Sequence, residues 1–244
     1  MNHYKRLAKD YDYLNPKEEI FKQRSFFKKL IKEYSVNICL DCACGTGWHL
    51  FMLDHLGVEC YGSDLSPEML ALAKKNLRRK NIPLKIGDFR KLSKTWEEQF
   101  EMVICMTTSL PHMLTDKDAM TALNSMYEQL SDRGILVISN GITDSLLRSK
   151  PKLIPARILK HRAFYFFLEY PNSERVIFNI LQVKKTKKSF EHTYPVIYYN
   201  AMRKFVLEKY FVKTKFRKVQ YFGDYKFTPY SVRKSGRLIV VAQK

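Results

Sequence analysis

Short apolar runs alternate along the first half of the chain with stretches whose apolar residues recur at helical spacing. The run 36–40 predicts a buried strand and 48–55 a helix, which Gly57 closes as a left-handed terminal residue. A second strand is expected over 58–64, ending on Asp64. Ser66, Pro67 and Glu68 then have the chemistry of a helix start. They supply a capping hydroxyl, a ring that pre-sets φ, and an acid beside the positive end of the dipole. Met69, Leu70, Leu72, Ala73 and Leu77 form that helix's apolar face. Strands at 84–88 and 100–106, a loop at 107–113, a helix at 116–130 and a strand at 135–139 continue the alternation. Upstream, Tyr4 and Tyr11-Asp12-Tyr13 precede Asn15-Pro16, which reads as the cap of a lead-in helix carrying Ile20, Phe21, Phe27, Leu30 and Ile31. Strands and helices in such short alternation predict an α/β fold, a parallel sheet with helices on both faces. Ligands of such sheets sit beyond the C-terminal strand ends, where Asp41, Asp64, Asp88 and the loop after Met106 fall.

From Thr143 the texture changes. The stretches 163–170, 175–183 and 191–199 are rich in aromatic and β-branched residues and predict an antiparallel ribbon. A helix at 201–211 and strands at 213–221 and 236–241 follow. The chain divides into a core with its lead-in helix (1–142), an inserted antiparallel β lid on the substrate side (143–200), and a closing helix with two strands of the core sheet (201–244).

Charge widens the choice of partner rather than the choice of fold. The 244 residues include 43 Lys and Arg against 24 Asp and Glu, a formal net charge of +19. That field attracts anions: nucleic acid, a lipid surface or a phosphorylated small molecule. It equally serves solubility. The five cysteines, Cys39, Cys42, Cys44, Cys60 and Cys105, lie in or beside apolar runs and read as reduced and buried. Cys42-x-Cys44 lacks the second ligand pair of a structural zinc site, so no metal is expected. No stretch reaches membrane-spanning length, which argues for a cytoplasmic protein with no membrane partner.

The stretch 38–50 concentrates the chemistry. An apolar run reaches Asp41, turns through Gly45 and Gly47, and opens a helix whose free N–H groups face the turn. This is a nucleotide-type cradle. A dinucleotide fingerprint would need a third glycine where Leu50 stands, and a P-loop would need Gly-Lys-Ser/Thr after the turn. Three acids, Asp41, Asp64 and Asp88, end three neighbouring strands instead.

Leu40-Asp41-Cys42-Ala43-Cys44-Gly45-Thr46-Gly47 resembles motif I of the class I S-adenosylmethionine-dependent methyltransferases. Gly62-Ser63-Asp64-Leu65-Ser66-Pro67-Glu68 and Gly87-Asp88-Phe89 resemble the next two motifs. The resemblance implies a Rossmann-like seven-stranded sheet with an antiparallel last strand, and S-adenosyl-L-methionine as cofactor. It assigns backbone at Ala43, Cys44, Gly45 and Gly47 to the cofactor's methionine part, with Asp41 near its amino group. Asp64 takes the ribose hydroxyls, Leu65 and Phe89 flank the adenine, Asp88 meets its amino group, Met106 offers backbone, and Met69 belongs to the same cofactor-binding set.

Tyr11-Asp12 and Ser109-Leu110-Pro111-His112 resemble the glycine and amino-sugar N-methyltransferases within this family, which implies a small-molecule amine acceptor. His112 titrates near neutral pH and can take the amine proton. Tyr11 is the second candidate catalytic residue, and the ribbon is the substrate-covering lid. The basic residues and aromatics of the C-terminal third carry the alternative, an RNA methyltransferase. A monomer or homodimer is expected.

Overall fold

The structure is a computed structural model and describes residues 7–244, so Tyr4 lies outside the described residues. In chain order come helix α1 (Arg24–Tyr34), strand β1 (Ile38–Asp41), α2 (Trp48–Asp54), β2 (Glu59–Asp64), α3 (Pro67–Asn76), β3 (Leu84–Ile86), β4 (Phe100–Cys105), α4 (Asp116–Glu128) and β5 (Leu130–Asn140). Then follow α5 (Asp144–Ser149), β6 (Leu153–Leu159), β7 (Arg162–Asn172), β8 (Arg175–Lys185), β9 (Phe190–Thr193), β10 (Val196–Asn200), α6 (Lys204–Val212), β11 (Lys218–Phe222) and β12 (Leu238–Gln243).

Seven strands form one sheet in the order β11-β12-β5-β4-β1-β2-β3. β12 is antiparallel to both neighbours, and the other contacts are parallel. The central strands are apolar on both faces because helices cover both. Leu40, Val103, Leu136 and Val240 pack with Ala122, Leu123 and Leu207 of α4 and α6. Cys39, Ile104, Val137 and Ile239 pack with Phe26, Phe27, Leu50 and Leu53 of α1 and α2. All five cysteines are free thiols and buried.

A second, antiparallel sheet runs β10-β8-β7-β6, with β9 paired to β8. It has two more strands than the sequence pattern predicts. β6 escapes notice because Pro155 interrupts it. Proline is tolerated there because β6 is an edge strand with a register shift between Pro155 and Arg157. Pro195 likewise splits the predicted strand 191–199 into β9 and β10. The short helix α5 is also new; Thr143 caps it, accepting from the Leu146 amide at 3.2 Å.

Other boundaries shift. Pro16, extended at φ −73°, rather than Asn15, occupies the cap position of a short helix at Lys17–Phe21, so the lead-in helix comes in two pieces. β5 begins at Leu130, five residues early, through the turn at Arg133-Gly134. β3 ends at Ile86, leaving Asp88 in the loop beyond it. The first closing strand begins at Lys218, since Lys213 still caps α6. Among the described residues no helix is long and apolar enough to cross a membrane.

Candidate active site

The loops at the C-terminal ends of β1 to β4 enclose a cavity of about 620 Å³, roofed from the other side by β10 and by Tyr11. The glycine turn is its floor. Gly45 and Gly47 both have positive φ, +52° and +86°, but they serve different neighbours. A Cβ on Gly45 would reach only the Tyr11 ring, at 4.0 Å, on the cavity side. One on Gly47 would lie 2.9 Å from Leu77 Cδ1 and 3.3 Å from Ala73 Cβ. Gly47 therefore lets α3 approach the turn and does not line the cavity.

Asp41 lies beneath this turn, 1 % exposed. Its Oδ1 accepts from the Ala43 amide at 3.2 Å, while Oδ2 has no hydrogen-bond partner among the described residues. Burial, with the nearby Asp64 charge adding to it and the Ala43 N–H opposing, raises the carboxyl to about 8. A buried carboxyl with an orphaned oxygen is costly unless a donor or cation reaches it.

Asp64 closes β2 and lines the cavity. Its Oδ2 accepts from Gly45 N at 2.8 Å and its Oδ1 from Ser66 N at 2.9 Å. Burial raises its pKa, and the amides of Ser66, Gly45 and Leu65 pull against that rise. The sequence sets this geometry locally. Ser66 caps α3 by accepting from Met69 N at 3.3 Å, and Pro67 starts the helix, so the acid, the cap and the lining residues Leu65 and Met69 form one turn.

At the next strand end Asp88 is held by Arg90. Its Oδ1 and Oδ2 accept from Arg90 Nε at 3.1 and 3.0 Å, and Oδ2 also from Nη2 at 2.7 Å. Arg90 Nη1 reaches Asp118 Oδ1 at 2.9 Å, on the first turn of α4. Burial would raise the Asp88 carboxyl, but the Arg90 guanidinium outweighs it and keeps the group below its usual range. Asp88 thus arrives already paired, unlike Asp41. Phe89 lines the same wall.

The segment before α1 is pinned over the turn. Asp12 accepts from Thr46 Oγ1 at 2.6 Å and from Asn76 Nδ2 at 3.0 Å. Asp10 pairs with Arg162 and accepts from Gln182, both of the second sheet. Tyr11 is thereby fixed between the glycine turn and that sheet. Burial first, then neighbouring Tyr199 and Asp64, push its phenol well above the usual range.

The opposite wall comes from the loop after β4. Thr107 and Thr108 adopt left-handed backbone, φ 56° and 68°, unusual for β-branched residues. Thr108 N donates to Ser139 O at 2.9 Å, and Thr108 Oγ1 accepts from Gly141 N at 2.9 Å, which holds the turn. A helical turn at Leu110–His112 then presents His112 to the cavity, its ring centroid 4.8 Å from that of Tyr199. Asn200 ties the loop to β10 by donating to Met113 O at 3.1 Å.

Of the residues predicted from sequence, Tyr11, Ala43, Gly45, Asp64, Leu65, Met69, Asp88, Phe89 and His112 line this one cavity. Asp41, Cys44, Gly47 and Met106 do not. Cys44 points into the core, and the Met106 carbonyl accepts from Ser109 Oγ at 2.8 Å, with Thr107 lining the cavity in its place. Sequence reasoning missed Arg90, Asp118, Thr107 and Tyr198. The Asp88-Phe89-Arg90 spacing carried a signal for the first; nothing local marks the others.

A seven-stranded sheet with a reversed β12, a glycine turn after β1 and acids at the next strand ends is the Rossmann-like fold of the class I S-adenosylmethionine-dependent methyltransferases. Residues 39–134 match the sequence model of the methyltransferase domain family. That segment is thus similar to a methyltransferase domain, and the fold around it is the one this class has. A glycine/sarcosine N-methyltransferase of Parasynechococcus marenigrum is 36% identical over 124 residues, 50% of this chain and 44% of that protein. A dTDP-3-amino-3,6-dideoxy-alpha-D-glucopyranose N,N-dimethyltransferase of Streptomyces fradiae is 34% identical over 99 residues, 41% of this chain and 37% of that protein. The matched segment thus spans less than half the length of these relatives. An S-adenosylmethionine-dependent methyltransferase of Clostridium acetobutylicum superposes with a TM-score of 0.84 at 17% identity, covering 98% of each chain.

Proposed function

We propose that this protein transfers a methyl group from S-adenosyl-L-methionine to the nitrogen of a small-molecule amine. The orphaned Oδ2 of Asp41 carries the reading: a buried carboxyl beneath a glycine turn fits an ammonium group, which the amino-acid end of this cofactor has. Asp64 fits the ribose, because each oxygen keeps acceptor capacity beside its one amide bond. Asp88 and Phe89 would hold the adenine edge and face, with Arg90 fixing the Asp88 orientation. When bound, the cofactor supplies an activated methyl on a sulfonium.

The protein's own work is alignment and proton handling. Tyr11 covers the floor of the cavity and excludes water. His112 faces the acceptor side and takes the amine proton, and Tyr199 sets its ring orientation. Alignment of the acceptor lone pair supplies most of the rate. Residues 143–200 act as the lid over the acceptor. The five free cysteines suit a reducing, cytoplasmic setting. The names of the sequence relatives give the RNA alternative no support, and no basic residue of the C-terminal third lines the cavity.

Calorimetry with S-adenosylhomocysteine in two buffers of different ionisation enthalpy tests the cofactor site. An ammonium beside Asp41 expels its proton, so binding at pH 7 releases close to one proton, and the Asp41→Asn variant releases none. Binding with no proton release removes the Asp41 assignment. A labelled-methyl screen against amines, amino sugars and RNA tests the acceptor; transfer to RNA alone would overturn the small-molecule reading.

A further inference from the structure

The cavity wall beyond β3 holds two acids in opposite states. Asp88 takes four contacts, all from Arg90. Its Oδ1 accepts from the Arg90 amide at 2.9 Å and from Nε at 3.1 Å, and its Oδ2 from Nε at 3.0 Å and Nη2 at 2.7 Å. A carboxylate has about four lone-pair sites, so little of Asp88 is left for a ligand. Asp118 lines the same cavity and keeps room to accept. Among the described residues its Oδ1 accepts from Arg90 Nη1 alone, at 2.9 Å, and its Oδ2 from Thr115 Oγ1 alone, at 2.8 Å. A lone pair remains on each oxygen, and the side chain is 38% exposed.

Two neighbours fix the direction of that acceptor. Thr115 Oγ1 caps α4 by accepting from Asp118 N at 3.0 Å and donates back to the Asp118 carboxylate, a reciprocal cap that holds the side chain. Arg90 holds the other oxygen. The Thr115 hydroxyl first, then Arg90, draw the Asp118 carboxyl below its usual range, so at neutral pH it accepts and cannot donate. Arg90 supplies the complementary group and also lines the cavity. Its Nε, Nη1 and Nη2 each give an N–H to the two acids, and a further N–H remains on each of Nη1 and Nη2. The wall therefore presents a fixed acceptor beside a fixed donor.

That order matches one purine. Adenine places its amino donor next to a ring-nitrogen acceptor. Deamination to hypoxanthine turns the amino group into a carbonyl and the neighbouring N1 into an N–H. The acid would then face an oxygen and leave a polar pair unmatched, which is costly in an enclosed site.

We infer that Asp118 and Arg90 together read the adenine edge of the cofactor, Asp118 accepting from the amino group and Arg90 donating to the adjacent ring nitrogen, and so set the preference for adenine. The inference rests on the cofactor reading above and sharpens it. Asp88 holds the adenine edge by holding Arg90, while the acceptor itself comes from α4, 28 residues beyond Arg90.

Calorimetry with S-adenosylhomocysteine and its deaminated form, S-inosylhomocysteine, is the test, with circular dichroism to check the fold of each variant. The wild type is expected to bind the adenine form at least about 10-fold more tightly. Asp118→Asn, whose amide can donate to the hypoxanthine carbonyl, lowers that ratio by at least about 5-fold. Asp116→Asn removes the same charge from the same turn of α4 and leaves the ratio unchanged, because Asp116 accepts from Tyr210 and does not line the cavity. Asp88→Asn keeps most of the ratio, since Arg90 stays paired with Asp118. Should Asp118→Asn fail to fold, the wild-type ratio and Asp88→Asn decide. A wild type without preference, a preference indifferent to Asp118→Asn, or one lost in Asp88→Asn overturns the inference and leaves the cofactor reading standing. A wild type that binds neither compound overturns both. None of these readouts depends on methyl transfer.

Discussion

The cofactor-side core and the second sheet solve opposite problems. Between β1 and β5 acids are drawn into the protein. Asp41 is buried with an oxygen to spare, Asp64 is held by two amides, and Asp88 is fixed by a guanidinium. Between β6 and β10 one largely apolar face of the sheet is left to water, with Leu153 48% and Phe167 37% exposed. The first region stores unsatisfied polar chemistry inside; the second leaves unsatisfied apolar surface outside. The first deficit points to what completes it, a cationic, nucleoside-bearing ligand.

The sharpest break in this contrast is a substitution that kills one region's function and spares the other's. His112→Ala is expected to lower turnover by roughly 10²-fold or more, as loss of a positioned proton acceptor does. Cofactor affinity should stay within a factor of two or so, since the ring faces the acceptor side. Steady-state kinetics beside calorimetry separates the two, and a fall in affinity without a fall in turnover would move His112 to the cofactor side.

Asp64→Ala should do the converse. Removing an acceptor of charge-assisted hydrogen bonds weakens S-adenosylhomocysteine binding by about 10- to 100-fold. The circular dichroism spectrum should be unchanged. Equal affinity in calorimetry would remove Asp64 from the cofactor site.

Asp41 gives a subtler signature, in stability. Its folded pKa of about 8 stands above the unfolded value of about 3.9, so between these limits the folded state binds more protons. Stability contributed by Asp41 is therefore full at low pH and is lost as pH rises toward 8. Burial of Asp64 acts in the same direction. His49, pushed down to about 4 by burial and Arg237, acts oppositely, but only below the unfolded value of about 6.5. Between pH 6.5 and 8 the ligand-free protein should lose about 2 kcal/mol in urea titrations. Asp41→Asn flattens most of that slope. A wild-type curve already flat across this window would mean the carboxyl is ionised in the empty site.

The smallest effect lies at the junction of the two regions. Lys150 ends α5 in left-handed backbone at φ 44°, a terminal position that suits glycine. Lys150→Gly should stabilise the chain by about 0.5–1 kcal/mol, read from the urea midpoint at unchanged slope. Destabilisation would show that the lysine side chain contributes at this corner.

The two regions also differ in how far a reader of the sequence can go. Ser66-Pro67 fixes a helix start within three residues, and the strand–glycine–helix turn at 38–48 is local as well, so the acids at 41, 64 and 88 could be read in order. Gly47 shows the limit of that reading. Its place in the motif suggests ligand contact, while its missing Cβ makes room for Ala73 and Leu77, 26 and 30 residues away. Met106 shows the same limit, its carbonyl being taken by Ser109. Arg90 bridging to Asp118 and the left-handed Thr107 and Thr108 depend on elements far apart in the chain.

By itself, then, the order of amino acids determined the α/β alternation, the glycine turn, the strand-end acids and the candidate His112 and Tyr11, because these rest on periodicity and chemistry within one or two turns of chain. Only the tertiary structure decided which glycine faces the cavity, which acid is paired, that Pro155 sits in an edge strand, and which side of the second sheet meets water. Those outcomes depend on register, where a shift of one residue sends every side chain to the other face, and register is set by partners distant in sequence.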